Sequence, residues 1–214
     1  MLITERTPTS QALKETRVIA ILRAVDAARA GDVVGVLVEN GIRCLELTLT
    51  TRGALDVVQT LARNLPNGID LGVGTVLTVE DVQRCADAGA RFVVSPTVVP
   101  EVVAAASARG LAAYPGALSP TEIQLAWEAG ASAVKLFPGG ALGPGYLKAI
   151  RAPLPDIPII PTGGIDIASV RAWLDAGAYA VGLGSPLIGR ALDGDGDLSA
   201  LAERARAVLT EAAA

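Results

Sequence analysis

Residues 87–96 read DAGARFVVSP, and the same arrangement returns at residues 128–138 as EAGASAVKLFP and at residues 175–186 as DAGAYAVGLGSP. Each stretch begins where a helical pattern ends, passes through a glycine typical of a helix C-terminus, and continues into a short apolar strand. A unit that repeats in this order indicates parallel strands covered by helices.

The rest of the chain continues this alternation and predicts eight strands. The apolar runs that we expect to form strands are residues 17–23, 42–49, 69–74, 91–95, 111–114, 133–137, 157–161 and 179–183. Eight βα units in 214 residues predict an α/β chain folded as a single (β/α)8 TIM barrel over residues 17–192. We expect an extra N-terminal helix in residues 1–16 and a C-terminal helix in residues 193–214. The alternative is an open doubly wound sheet, which should show GxGxxG after its first strand, and this sequence has none there.

The composition excludes several classes of protein. With 51% hydrophobic and 19% charged residues the chain is too apolar to be disordered, and no apolar run approaches the roughly 18 residues of a membrane helix. The 18 basic and 22 acidic residues give a net charge of −4 and form no basic stripe. Neither a membrane nor a nucleic acid is therefore an expected partner.

Histidine is absent from the sequence. This absence excludes Ser-His-Asp and Cys-His nucleophiles and histidine-ligated zinc, so we expect no metal in the site. The two cysteines, Cys44 and Cys85, lack CxxC spacing, and the first residues lack the basic-then-apolar order of a signal peptide. We therefore expect a cytoplasmic protein with reduced thiols.

Two charged residues interrupt predicted strands that are otherwise apolar: Lys135 in AVKLF and Glu46 in LELTL. Active sites of (β/α)8 barrels lie at the C-terminal ends of the strands. Burial lowers the pKa of a lysine and raises that of a carboxyl group, which suits the pair to imine formation and to acid/base catalysis. The alternative is a buried ion pair without catalytic use. The two residues belong to the sixth and second predicted strands, an arrangement that lets them face each other across the barrel.

Two glycine-rich segments follow the last two predicted strands: TGGI at residues 162–165 and GLGSP at residues 182–186. Barrels frequently bind a phosphate where these loops meet, because glycines let backbone N–H groups approach the oxygens. Ser185 adds a hydroxyl, so we predict a phosphate site here. Arg23 and Thr75 close the first and third strands and are candidates to bind a carboxylate. The alternative roles are capping a loop and pairing with an acidic residue on the surface.

Seven phrases of the sequence resemble the 2-keto-3-deoxy-6-phosphogluconate (KDPG) aldolase family, the class I aldolases of Entner–Doudoroff sugar-acid breakdown. They are LELTLTT, GVGTVL, FVVSP, YPGALSPTE, VKLFP, PTGGI and GLGSPL, and the similarity runs from about Val18 to Leu192. The resemblance implies a homotrimer of (β/α)8 barrels that cleaves a phosphorylated 2-keto-3-deoxy sugar acid to pyruvate and glyceraldehyde 3-phosphate through a Schiff base, without a cofactor. A 4-hydroxy-2-oxoglutarate aldolase activity also occurs in the family.

The resemblance also implies roles for individual residues by their place in these phrases. It assigns the Schiff-base lysine to Lys135, the general acid/base to Glu46 and carboxylate binding to Thr75. It implies phosphate contacts from Gly163, Gly164, Gly184 and Ser185, and a pocket lined by Pro96, Phe137 and Thr162.

The sequence departs from the family pattern at Thr50, where many members carry a carboxylate-binding arginine in TLRT. The galactonate-specific branch also lacks this arginine and is similar to this sequence at residues 20–23 and 142–147, so we infer that Arg23 supplies the missing charge. Thr162 resembles the residue of gluconate-specific enzymes, which leaves the sugar epimer open. The alternatives to an aldolase are an imine-free phosphate-binding barrel, such as a sugar-phosphate epimerase or isomerase, and a catalytically silent scaffold.

Overall fold

The computed structural model describes residues 6–213, in which strands and helices alternate along the chain. The strands are β1 Val18–Leu22, β2 Cys44–Thr48, β3 Asp70–Gly74, β4 Phe92–Val94, β5 Ala112–Tyr114, β6 Gly116–Ala117, β7 Val134–Leu136, β8 Ile159–Pro161 and β9 Val181–Leu183. The α-helices are α1 Gln11–Thr16, α2 Ala30–Glu39, α3 Ala54–Asn64, α4 Val79–Asp87, α5 Pro100–Ala108, α6 Pro120–Glu128, α7 Gly143–Arg151, α8 Val170–Asp175, α9 Ser185–Ile188 and α10 Leu198–Ala213. Short 3-10 helices cover Gly139–Ala141 and Ile167–Ser169.

All strand pairs are parallel, so the predicted α/β class with parallel strands is confirmed. Six strands pair in the order β5-β4-β3-β2-β1-β9, and three pair in the order β6-β7-β8. Pro115 separates β5 from β6 in the chain, and a parallel bridge between Thr162 and Gly182 connects the end of β8 to β9. The two sheets therefore adjoin each other at both of these places.

Each of the eight predicted strand segments contains a strand, with one difference in the fifth. The segment predicted as residues 111–114 contains β5, which pairs with β4, whereas β6, after Pro115, pairs with β7. Proline has no backbone N–H to donate to a ladder, which accounts for the interruption.

The predicted N-terminal helix is shorter than expected. Within the predicted residues 1–16, helix covers Gln11–Thr16, residues 6–10 are not helical, and residues 1–5 lie outside the described part. Ser10 caps the helix by accepting the Leu13 N–H, while Arg6 donates to the carbonyl oxygens of Ala131 and Trp127. These bonds direct residues 6–10 across neighbouring elements, which local helix propensity does not reveal.

Alternation along the strands separates two apolar layers. Val18, Ala20 and Leu22 pack with the large cluster beneath the helices, whereas Ile19 and Ile21 belong to a smaller cluster on the opposite face of the strands. This smaller cluster is the interior layer, and it holds Phe92 and Tyr114, whose ring centroids lie 5.2 Å apart, together with Cys44 and Ile160. Any polar side chain placed in this layer is removed from bulk water.

None of the helices in the described range is both long enough and apolar enough to span a membrane.

Candidate active site

Lys135 and Glu46 both lie in the interior layer. Cys44, two residues before Glu46, and Ala133, two residues before Lys135, belong to that layer, and side chains two apart on a strand share a face. Glu46 is 2% exposed and Lys135 is 7% exposed. The ion pairs found within residues 6–213 all lie on the surface, and none joins these two side chains. Lys135 and Glu46 therefore act on each other through their charges without a direct ion-pair contact.

The environment of Lys135 favours its neutral amine. Burial lowers the pKa of Lys135, the Glu46 carboxylate raises it, and the Arg23 guanidinium lowers it further. The Nζ atom lies 4.9 Å from the centroid of the Phe137 ring. A larger neutral fraction at a given pH makes the amine a better nucleophile toward a carbonyl carbon.

The environment of Glu46 favours proton uptake. Burial raises the pKa of Glu46, while the charges of Lys135 and Arg23 act in the opposite direction. A carboxyl group with a raised pKa binds a proton more readily than an exposed one, which suits it to act as a general acid/base. The interior layer thus holds the Lys135 amine with a lowered pKa and the Glu46 carboxyl group with a raised pKa, so the two pKa values are shifted toward each other.

Gly74 makes room for the Glu46 side chain. A Cβ built at Gly74 would lie 2.6 Å from Cδ and 2.9 Å from Cγ of Glu46, and real Cβ contacts are essentially never shorter than 3.0 Å. Residues 46 and 74 lie on β2 and β3, which pair directly. The sequence interpretation did not name Gly74 as a site residue, although its GVGT phrase is the signal that would have identified it.

A cavity of about 220 Å³ opens at the C-terminal ends of β1, β7, β8 and β9. Lys135 lies on its wall and also borders a much smaller interior cavity, of about 10 Å³, that Glu46 and Tyr114 line. The predicted residues that line the larger cavity are Arg23, Lys135, Phe137, Thr162, Gly163, Gly164, Gly184 and Ser185. A ligand in the larger cavity therefore meets the amine on one side, with the acid/base group just beneath.

The mouth of the cavity is built from backbone. Gly163 and Gly164 have φ values of +82° and +76°, which glycine adopts without strain. A Cβ at Gly163 would lie 2.8 Å from a Phe137 ring atom, so glycine also lets the loop approach the ring. Gly184 and the exposed Ser185 face the same space from the start of α9. This arrangement of bare peptide groups and a hydroxyl suits an anion.

Two predicted residues stand apart from this cavity. Thr75 follows β3, is half-buried and has a φ of +62°, while Pro96 follows β4, and neither residue lines the cavity. The structure instead adds apolar wall residues that the sequence interpretation did not name: Ile21, Ile165, Pro186 and Ile188. Ile21 comes from the interior face of β1, Ile165 from the loop after β8, and Pro186 and Ile188 from α9. No local sequence signal distinguishes such wall residues from ordinary core.

Curated relatives match most of this chain. The profile of the family described as KDPG and KHG aldolase matches residues 9–203. A probable 2-dehydro-3-deoxy-6-phosphogalactonate aldolase of Rhizobium meliloti is 40% identical over 174 residues, which cover 81% of this chain and 82% of the relative. A 2-dehydro-3-deoxy-phosphogluconate aldolase of Treponema pallidum is 37% identical over 165 residues, which cover 77% of this chain and 78% of the relative.

Solved structures agree with this relationship. A native KDPGal structure superposes with a TM-score of 0.85 at 32% identity, covering 91% of this chain and 93% of the other. The KDPG aldolase of Legionella pneumophila, solved with pyruvate captured as a covalent carbinolamine intermediate, superposes with a TM-score of 0.84 at 29% identity, covering 92% and 96%. The predicted family and the predicted class of carbon–carbon lyase are thereby confirmed: this chain belongs to the KDPG and KHG aldolase family.

Proposed function

We propose that this chain cleaves a 2-keto-3-deoxy-6-phospho sugar acid of the gluconate or galactonate type into pyruvate and glyceraldehyde 3-phosphate. The observation that carries the proposal is the buried Lys135 amine, which has a lowered pKa and borders a cavity with a backbone-rich mouth. Glu46 lies in the same interior layer with a raised pKa. Relatives named as aldolases of both sugar acids support the substrate class.

Catalysis begins when the neutral amine of Lys135 attacks the C2 ketone, and loss of water leaves an iminium ion. The iminium ion is an electron sink. Glu46, acting through a water molecule, removes the proton of the C4 hydroxyl; the C3–C4 bond breaks, its electron pair enters an enamine, and the aldehyde product leaves. Glu46 then helps to return a proton to C3 of the enamine, and addition of water to the iminium ion releases pyruvate and the free amine.

The two ends of the substrate bind different groups. The phosphate binds to the peptide groups of Gly163, Gly164 and Gly184 and to the Ser185 hydroxyl. The carboxylate binds to Arg23, which replaces the arginine that the family pattern has at Thr50. The resemblance adds Thr75, which lies after β3 and outside the walls of the cavity. Arg23 lines the cavity and acts on the pKa values of both Lys135 and Glu46, which supports a place close to the reacting atoms.

Thr162 and Phe137 line the pocket that holds the sugar carbons, and the resemblance adds Pro96, which lies outside the walls of the cavity. The Thr162 hydroxyl is buried and donates to the Ile160 carbonyl oxygen over 3.3 Å. The epimer at C4 is a matter for competition assays, since relatives named for each sugar acid have similar identities to this chain. The second candidate substrate is 4-hydroxy-2-oxoglutarate, which the family description favours because it names KHG aldolase alongside KDPG aldolase.

We also propose that residues 1–214 form one domain with a closed (β/α)8 barrel over residues 17–192. The bridge from Thr162 to Gly182 and the short step through Pro115 support closure of the two sheets. The homotrimer implied by the resemblance and the cytoplasmic location expected from the cysteines and the N-terminal sequence belong to the same proposal. Exposed apolar side chains beyond the C-terminal ends of β1 and β3, namely Val25 and Leu77 on loops and Val79 at the start of α4, support a subunit contact near the active site. Light scattering on the purified protein measures the subunit number.

Borohydride trapping with pyruvate tests the proposed function directly. Borohydride reduces an imine irreversibly, so the expected result is a pyruvate adduct that peptide mass mapping locates on Lys135. The folded Lys135→Ala variant is the matched control and should acquire no adduct. A folded parent protein that forms no adduct on any lysine would refute the imine mechanism and favour an imine-free phosphate-binding barrel.

A further inference from the structure

The loop that carries Arg23 is attached to the turn that follows β2. Arg52 donates its N–H to the Val25 carbonyl oxygen over 3.2 Å, and the Ala27 N–H donates to the Arg52 carbonyl oxygen over 3.0 Å. In the β1–β2 register Ile21 pairs with Glu46. The loop after β1 is therefore tied to the end of the strand that carries Glu46.

The Thr51 hydroxyl adds a contact immediately next to Arg23. Its oxygen accepts the Ala24 N–H over 3.2 Å and lies 3.2 Å from the Thr48 hydroxyl oxygen. Thr51 is 2% exposed and Thr48 is fully buried. Since Ala24 directly follows Arg23, this bond orients the peptide between them.

The turn itself does not need this hydroxyl. The Thr51 N–H donates to the Thr48 carbonyl oxygen over 2.9 Å, and the Ala54 N–H donates to the Thr51 carbonyl oxygen over 3.1 Å. These backbone bonds close the turn and begin α3 whatever side chain is present at residue 51. The buried hydroxyl is thus available to the neighbouring loop.

The Arg23 guanidinium depends on its backbone for its position. In the range 6–213, no ion pair or side-chain hydrogen bond to Arg23 is formed, and its side chain is exposed at the cavity. A long side chain without a partner samples many rotamers. The direction of its Cα–Cβ bond therefore decides which positions of the guanidinium are most populated.

We propose that Thr51 is a positioning residue for substrate binding: its hydroxyl holds the Ala24 peptide so that the Arg23 side chain is directed into the cavity. This inference rests on the proposed function, in which Arg23 binds the substrate carboxylate. The hydroxyl does not contact substrate, and its effect passes through Arg23. Removing it should therefore weaken substrate binding more than it slows the chemical steps.

A double-mutant cycle tests this coupling with KDPG or its galactonate epimer as substrate, whichever the parent turns over faster. Thr51→Val replaces the hydroxyl with a methyl group of similar size, and we expect KM to rise at least about fivefold while kcat stays within about twofold. In the Arg23→Ala background the same substitution should leave KM unchanged, because the group that it positions is gone. Thr51→Ser retains the hydroxyl and should restore the parent KM.

Thr50→Val is the matched control, since it removes a neighbouring hydroxyl that lies 3.0 Å from the same Thr48 oxygen but makes no bond to the loop. Its KM should equal that of the parent. Thermal melting identifies any unstable variant, and Thr51→Ala repeats the test if Thr51→Val melts below the assay temperature. An unchanged KM in the Thr51 variants, or an equal increase in both backgrounds, would overturn the positioning role. Parent kinetics in Arg23→Ala would instead refute the carboxylate anchor of the proposed function.

Discussion

Replacing Gly74 by alanine should move the general acid/base without unfolding the protein. The added Cβ would overlap Oε1 of Glu46, its nearest neighbour, and would lie 2.6 Å from Cδ, whereas ordinary van der Waals contact begins at 3.4 Å. The carboxyl group must therefore move by more than about 1 Å. The carboxylate is the far end of a flexible side chain, and it rather than the β2 or β3 backbone absorbs the shift. Gly74 has no positive φ, so alanine fits the local backbone.

A displacement of roughly 1 Å at a catalytic group costs about 100-fold in rate. We therefore expect kcat of Gly74→Ala to fall about 100-fold, which corresponds to about 2.7 kcal/mol in the activation free energy. Formation of the pyruvate imine on Lys135 should persist, because the amine itself is not displaced. The assay is the release of pyruvate under saturating substrate, with borohydride trapping measured in parallel.

Gly35→Ala is the control for this substitution. Gly35 lies within α2, and a Cβ there would have no atom within 4 Å. Its kcat should equal that of the parent, and its stability should rise by about 0.5–1 kcal/mol, because alanine loses less backbone entropy than glycine on folding. A folded Gly74→Ala variant with the parent kcat would refute the argument that the Glu46 position limits catalysis.

Four further substitutions report on the charges and on the phosphate site. Lys135→Met should abolish turnover, yet the melting temperature of this variant at pH 7 should match or exceed that of the parent. Because burial lowers the Lys135 pKa, the charged amine destabilises the folded state at every pH below the folded pKa. Methionine removes that cost. The pH midpoint of imine trapping should move upward in Arg23→Gln and downward in Glu46→Gln, because Arg23 lowers and Glu46 raises the pKa of Lys135. Midpoints that do not move would show that these charges do not act on the amine. Ser185→Ala should raise KM for a phosphorylated substrate about five- to tenfold, with pyruvate trapping unchanged, and an equal loss with unphosphorylated 4-hydroxy-2-oxoglutarate would contradict a phosphate role.

Much of the site was predictable because its residues interrupt regular local patterns. Lys135 and Glu46 stand out as single charges in apolar strands, and strand alternation places each on the interior layer. The glycine pairs after β8 and β9 follow from the repeat, since loops after successive parallel strands meet at one end of a sheet. The N-terminal segment was less predictable, because Arg6 bonds to carbonyl groups more than 120 residues away and such contacts leave no local periodicity.

The sequence by itself determined the order of strands and helices and the face on which each strand residue lies, and it indicated the candidate reactive pair. These properties depend on periodicity and on residue chemistry, which act over a few neighbouring positions. Only the tertiary structure decided that Gly74 borders the Glu46 carboxyl group, that Arg23 rather than Thr75 lines the cavity, and that Thr51 holds the Arg23 loop. Each of these contacts joins different strands or their loops, and the register between strands, which no single segment encodes, sets their distance.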